Sequence, residues 1–380
     1  MAGRQETPNN SAAGGAVRID LGALAANWRL LADTSVPAEC AAVVKANAYG
    51  IGVAQAAPAL AAAGCTTFFV ATLDEAIALR GILGADPTIM MFNGVLPGTA
   101  KETHAHGIVP VLNDLGQLQE WHDLASGGDT PLPAALHADT GMNRLGLTPG
   151  DVAELSNAPE HMAGIDLTLV LSHLACGENG DNPMNNAQLL EFLRQKAALL
   201  PAPASLAASS GIFLGAGFHF EVVRPGIALY GGNPTPKDPN PTAEVVQIKG
   251  KIVQVRDVDS AQTVGYGAAF PVTKPSTIAT VAVGYADGIL RAIGDKQDGT
   301  AWGSVGGISV PVVGRVSMDL LTLDVTAAPA QSVHPGAWID LVGGDAMTVD
   351  EAARAAGTIP YEILTSLGAR YDRQYVGANA

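Results

Sequence analysis

The sequence predicts an α/β fold: a (β/α)8 TIM barrel followed by a C-terminal, mostly antiparallel β domain. Three observations carry that prediction. Eight short apolar runs alternate with helix-like segments between Val17 and about Asn233. A proline-rich polar stretch, NPTPKDPNPT (233–242), then breaks the pattern. Beyond it, apolar residues alternate with polar ones between glycine turns. Near-continuous apolar runs mark strands buried on both faces, as in a parallel sheet. Alternation marks strands with one wet face, as in antiparallel sheets.

Taken in order, the opening MAGRQETPNNSAAGG lacks an apolar core of signal-peptide length and reads as a disordered tail, 1–16. The barrel is assigned to 17–236. Its apolar runs are AAVVK (41–45), TFFVAT (67–72), TIMMF (88–92), IVPVL (108–112), AALHAD (134–139), LTLVLSH (167–173), SLAAS (205–209) and VVRPGIALY (222–230). Each of the first seven leads into helix-like sequence, clearest in LDEAIALRGIL and NNAQLLEFLRQKAALL. Eight such units are the mark of a closed barrel. A doubly wound open sheet is the rival for the same alternation. The proline-rich stretch reads as a linker, and 237–380 as the β domain, with one helix at VDEAARAAG (349–357).

Composition limits function. With 48% hydrophobic and 15% charged residues, the 380-residue chain is a folded globular protein. A net charge of −15 argues against nucleic-acid or anionic-membrane partners. The three cysteines, Cys40, Cys65 and Cys176, show no metal or disulfide spacing. No uncharged apolar run reaches membrane-span length, so a soluble cytoplasmic protein is expected. The carboxylates of 287–299 lack EF-hand spacing, and no metal is expected.

The most informative segment is VVKANAYG (43–50). Lys45 ends an apolar strand, where burying an ammonium is costly unless something uses it. An amine with a depressed pKa condenses with carbonyl compounds. In a barrel the C-terminal strand ends form the active site. Those ends gather Lys45 and Tyr49 (first), Arg144 in DTGMNRLG (after the fifth), His173 (sixth), Ser209 (seventh), and Arg224, Gly226 and Ile227 (eighth). Taken singly, each is more often structural; their convergence at one mouth suits a phosphorylated aromatic aldehyde. Lys45 would bond the aldehyde. Ser209, Tyr49 and the N–H groups of Gly226 and Ile227 would hold the phosphate. Arg224 would face a ring nitrogen and His173 a ring face. That ligand is pyridoxal 5'-phosphate.

VVKANAYG, DTGMNRLG, VVRPGIALYG, VGYADG (283–288) and GRVSMD (314–319), in this order, closely resemble the alanine racemases, the barrel-type pyridoxal-phosphate enzymes. The opening VRIDLGALAANWRLL is similar too, and the resemblance spans about 17–375. It implies that Lys45 carries the cofactor and is one of two catalytic bases, with Tyr285 the other. The two would face opposite sides of the planar adduct and move protons between its faces. It implies a homodimer with shared sites, in which Tyr285 and Met318 come from the partner subunit. It implies that Arg224 binds the pyridine nitrogen, that Arg144 and Met318 contact the substrate carboxylate, and that Tyr361 sits at the phosphate. The implied role is D-alanine formation, as for peptidoglycan precursors. A racemase of another small amino acid such as serine, and a non-catalytic pyridoxal-phosphate-binding protein, remain alternatives. The latter class lacks a β domain and a second base.

Three positions depart from the family pattern. His137 stands where many members have a lysine, often carbamylated, that braces the arginine matching Arg144. Ala208 replaces a frequent asparagine, and Ser317 a frequent cysteine.

Overall fold

The computed structural model describes residues 12–295 and 301–377. Most of the expected N-terminal tail therefore lies outside the described residues. The chain divides into two compact units, residues 24–243 and a second unit made of the chain up to Ala23 plus everything from Glu244 onward.

In residues 24–243, parallel strands follow one another around a barrel. Ala42–Val43, Thr67–Val70, Thr88–Met91, Val109–Leu112, Leu132–His137, Ile165–Leu171 and Ala204–Ser205 pair in sequence order. The eighth strand, Val222–Val223, pairs in parallel with Glu39–Cys40, just ahead of the first. On its other side Arg224 bridges to Ala208, and its N–H donates to Ala207. These bonds close the ring and exclude the open sheet. Most strand positions are buried because both faces are covered: Thr67–Val70 and Val109–Leu112 are buried at every position. Four of the helices between them start on side-chain caps. Thr72 and Thr148 form capping boxes with Glu75 and Asp151, and Asp114 and Asn182 cap alone. Each cap contributes about 1 kcal/mol.

The second unit is a mostly antiparallel sheet. Its main path runs Ile308–Pro311, Ala301–Val305, Trp338–Val342, Val246–Val258, Gly15–Asp20, Asp372–Val376. Ser276–Val281 pairs with Val246–Val258 and with Leu321–Asp324. The last pair of the path, Gly15–Asp20 with Asp372–Val376, is parallel.

One boundary differs from the sequence expectation. The sequence pattern assigns residues from 17 onward to the barrel, yet Gly15–Asp20 pairs antiparallel with Val246–Val258 in the β unit. Its alternation is the reason: Val17 and Ile19 are fully buried while Arg18 and Asp20 are partly exposed. That pattern suits a sheet with one wet face and not a barrel interior. The glycines before it permit close approach. A Cβ at Gly14 would stand 2.6 Å from the Ala282 carbonyl oxygen, and one at Gly15 2.6 Å from the Tyr371 ring.

Candidate active site

The barrel mouth begins with Lys45. The four residues after it, Ala46, Asn47, Ala48 and Tyr49, all have φ between 51° and 55°, a left-handed helical turn built without glycine. Such a conformation costs roughly 1–2 kcal/mol per residue, so the surroundings must hold it. They do. Glu75 accepts from Ala46 N–H at 2.7 Å with one oxygen and from Ala71 N–H at 2.8 Å with the other. Asn47 Oδ1 accepts from Val53 N–H, and Gly50 and Gly52 close the turn onto the carbonyls of Ala46 and Asn47. The turn aims Tyr49 inward, where its ring stacks on Tyr230 at 4.5 Å. The Tyr230 hydroxyl is anchored on the Val43 carbonyl at 2.8 Å.

Lys45 Nζ lies 5.7 Å from the Phe92 ring centroid. Burial, followed by repulsion from Arg144, pulls its pKa below the usual lysine value; Glu75 opposes this weakly. The amine is thereby more available as a nucleophile or base near neutrality.

Arg224, at the eighth strand end, is 2% exposed. Its guanidinium donates to Ser205 Oγ and, at 2.5 Å, to the Ser172 carbonyl. Both acceptors are neutral, and burial draws its pKa down to about 9, so the cation persists at neutral pH. Next to it, Ser209 Oγ accepts from the N–H groups of Gly226 (2.9 Å) and Ala228 (3.2 Å). A Cβ at Gly226 would overlap Tyr49 Oη and stand 3.0 Å from its Cζ. Tyr49, Ser209, Gly226 and the adjoining Ile227 thus share one corner, with hydroxyls and backbone donors converging as anion ligands do.

His173 follows the strand Ile165–Leu171. Burial, and then the cations Arg224 and Arg144, lower its pKa to about 3, which keeps the imidazole neutral. Gln188 fixes its backbone, donating to the His173 carbonyl at 2.9 Å and to Thr140 Oγ1 at 3.2 Å. Thr140 bonds Ser172, whose carbonyl takes Arg224. One network therefore runs from Arg224 to the loop carrying Arg144. That loop closes on Asp139, whose carboxylate accepts from the N–H groups of Gly141, Met142 and Asn143. Arg144 itself is exposed.

His137 has a definite partner. Asn113 donates both amide hydrogens, to the carbonyls of Phe92 and Val111, each at 2.8 Å. Its Oδ1 must then accept, so His137 Nδ1, 2.8 Å away, is the donor and Nε2 carries the lone pair. Burial and the two arginines lower the His137 pKa to about 4.

Asn113, Glu75, Asp139, Gln188 and Ser205 were not singled out from the sequence. Only Glu75 and Asp139 carried a local signal, the T-x-x-E cap of TLDE and the DTGMNRLG motif.

The remaining expected residues lie in the β unit. Tyr285 opens a short 3-10 turn, Tyr285–Asp287. Its N–H donates to the Ser317 carbonyl, and that of Ala286 to the Met318 carbonyl, both at 3.0 Å. Tyr285 and Met318 are thus neighbours, 44% and 53% exposed. Tyr361 sits in the helix Pro360–Thr365, also exposed.

A cavity of about 1100 Å³ lies away from the mouth, between the helices Ala100–Ala105 and Leu115–Ala125 and the start of the strand Leu132–His137. It touches none of these residues. Among the described residues, no group of three His, Cys, Asp or Glu side chains could hold a metal ion, and no helix is long and apolar enough to cross a membrane.

A lysine with a lowered pKa and a corner of hydroxyls and backbone donors, at the mouth of a closed barrel that a β domain follows in the chain, define a barrel-type enzyme as the class to compare. The comparisons with known proteins name the family. Residues 19–234 match the alanine racemase N-terminal domain and 245–375 the alanine racemase C-terminal domain. An alanine racemase of Methylobacterium nodulans is 49% identical, covering 96% of this chain and 97% of its own. A catabolic alanine racemase of Mesorhizobium japonicum is 45% identical, covering 97% and 95%. The crystal structure of alanine racemase from Bartonella henselae with covalently bound pyridoxal phosphate matches with a TM-score of 0.91 and 40% identity, covering 96% of this chain and all of that one. The chain belongs to the alanine racemase family; it is an amino-acid racemase, an isomerase.

Proposed function

We propose that this racemase interconverts L- and D-alanine with pyridoxal phosphate carried on Lys45, and that Lys45 and Tyr285 of a second protomer are its two bases. The observation that carries this is the pairing of a lowered Lys45 pKa with the corner formed by Tyr49, Ser209 and Gly226.

The residues fit the cofactor. Ser209 and Tyr49 offer hydroxyls and Ile227 its backbone N–H; the Gly226 N–H, which holds Ser209 Oγ, would be shared with the phosphate, and only a residue without Cβ fits beside Tyr49. Tyr361 is a further phosphate ligand in this reading. Arg224, anchored on Ser172 and Ser205, would hold the ring nitrogen as a permanent donor. When bound, the cofactor supplies the electron withdrawal that makes the substrate α-hydrogen acidic. Arg224 limits that withdrawal, because a guanidinium does not protonate the nitrogen it faces. Lys45 and the Tyr285 phenol exchange protons with the two faces of the substrate carbon. His173, neutral at working pH, accepts or donates a hydrogen bond without adding charge, linking Arg224 to the phenol. Arg144 and the Met318 backbone hold the substrate carboxylate.

The dimer with shared sites belongs to the same proposal. Tyr285, Met318, Leu320, Ile359 and Tyr361 are large apolar or aromatic side chains left exposed on the β unit, as expected of a surface that a second copy covers. A cytoplasmic location and supply of D-alanine for peptidoglycan complete the reading.

The test mixes two inactive variants, Lys45→Ala and Tyr285→Phe, under subunit exchange. If sites are shared, half the dimers carry one intact site, and about a quarter of wild-type activity returns. No recovery, with exchange verified, contradicts shared sites. Separately, wild-type protein in heavy water should form D-alanine with deuterium at Cα from L-alanine; no D-alanine from cofactor-loaded protein rules out the substrate.

A further inference from the structure

Two loops of the β unit each carry one reactive contact, and one side chain fastens them. The first is the turn Tyr285–Asp287. The second is the tight turn 317–320, closed by Ser317 N–H and Oγ on the Leu320 carbonyl and by Leu320 N–H on Ser317 Oγ. Met318 and Asp319 stand at its tip. Arg370 reaches both. Its Nε and Nη2 take the two oxygens of Asp287 at 2.7 Å each, a fork-on-fork pair, while Nη1 takes Asp319 Oδ1 at 2.7 Å.

Asp287 is 3% exposed and does more than pair with the guanidinium. Its Oδ2 accepts from Gly284 N–H at 2.9 Å, capping the turn that begins with Tyr285, and its carbonyl accepts from Gly368 N–H at 3.0 Å, two residues before Arg370. Gly284 lies so close to the second loop that a Cβ would overlap the carbonyl oxygens of Ser317 and Met318. The turn and the loop are therefore packed directly against each other at Gly284, and Arg370 ties their acidic side chains. Bidentate pairing fixes a plane as well as a distance, which lysine cannot do.

We propose that Arg370 is a positioning residue for racemisation: by bridging Asp287 to Asp319 it sets the Tyr285 phenol and the Met318 backbone in one fixed geometry. This rests on Tyr285 being a base and Met318 a substrate contact. A displacement of about 1 Å at a reacting group costs on the order of 100-fold in rate, so loss of the bridge acts on proton transfer at the phenol and on carboxylate binding. It leaves the amine side, held by the barrel, as it was.

The test uses holoenzyme with Arg370→Met, Arg370→Lys and Asp319→Asn, assayed with L- and D-alanine carrying hydrogen or deuterium at Cα. For Arg370→Met, kcat/KM falls roughly 10- to 100-fold, equally in both directions because the equilibrium constant is one, and KM rises. The primary isotope effect increases for one enantiomer only, the one whose hydrogen the phenol removes. Arg370→Lys restores part of the activity and keeps the asymmetry. Asp319→Asn, which weakens only the charged link to the Met318 loop, raises KM and leaves both isotope effects unchanged. A merely structural arginine lowers the active fraction and moves neither KM nor the isotope effects; that result for Arg370→Met overturns the proposal. If Arg370→Met does not fold, an unchanged KM in Asp319→Asn overturns it. Failure of the Lys45/Tyr285 subunit-exchange experiment would instead remove the reading beneath it.

Discussion

Gly226→Ala adds one methyl group at a crowded point of the barrel mouth. The φ of Gly226 is −125°, so no left-handed conformation is at stake. The effect is steric. The new Cβ would stand 3.0 Å from Tyr49 Cζ and overlap its hydroxyl. Tyr49 has little room to retreat: its ring is stacked on Tyr230 at 4.5 Å, and its backbone sits in the left-handed turn with φ 51°. Relieving the overlap takes a shift of about 1 Å, and overpacking of this kind typically costs about 1–3 kcal/mol. A shift of that size at the proposed phosphate corner costs on the order of 100-fold in function, which at 1.36 kcal/mol per decade is about 3 kcal/mol. The assay is cofactor affinity from visible absorbance, with kcat/KM alongside. The double variant Gly226→Ala/Tyr49→Phe removes the overlapping oxygen, so its loss should be smaller than the sum of the single losses. Full additivity, or wild-type cofactor affinity in Gly226→Ala, refutes the shared corner.

Three further outcomes follow from the hydrogen-bonded frame. His137 titrates near 4 folded and near 6.5 unfolded. Below pH 6.5 the unfolded chain therefore binds a proton that the native state refuses; this stability is complete above about 6.5 and is lost as pH falls toward 4, roughly 3 kcal/mol in all. Urea midpoints from pH 7 to 4 should show a slope shallower by one proton in His137→Gln, and an unchanged slope contradicts the assignment. Asp139→Asn replaces the anion that gathers three backbone N–H groups; the Arg144 loop loosens, and KM for alanine should rise roughly tenfold with kcat less affected. Gln188→Leu strands Ala175 N–H, which Gln188 Oε1 accepts at 2.8 Å, and should lower stability by about 1–3 kcal/mol in thermal melts.

The departures at His137 and Ser317 take on definite meaning. His137 is neutral, satisfied through Nδ1 by Asn113, and presents a lone pair on Nε2. A neutral acceptor therefore occupies the place where relatives of the expected pattern put an anion. Ser317 is not an idle replacement for a thiol. Its hydroxyl both donates to and accepts from Leu320, and so shapes the turn that displays Met318.

The order of apolar runs determined the barrel, because a strand buried on both faces has no alternative to being apolar throughout. The ends of those runs also located Lys45, Ser209, Arg224 and Gly226, since in this fold a strand's end is an address. Sequence could not assign Gly15–Asp20, whose partner is more than two hundred residues away in Val246–Val258; alternation reveals a wet face without saying which sheet supplies the dry one. Nor could it find Asn113, Gln188 or Arg370. Each acts through hydrogen bonds to residues distant in the chain, and a polar side chain carries no sign of its partner until folding brings the two within 3 Å. The candidate residues could be named one by one along the chain, but the hydrogen-bonded frame around them exists only in three dimensions.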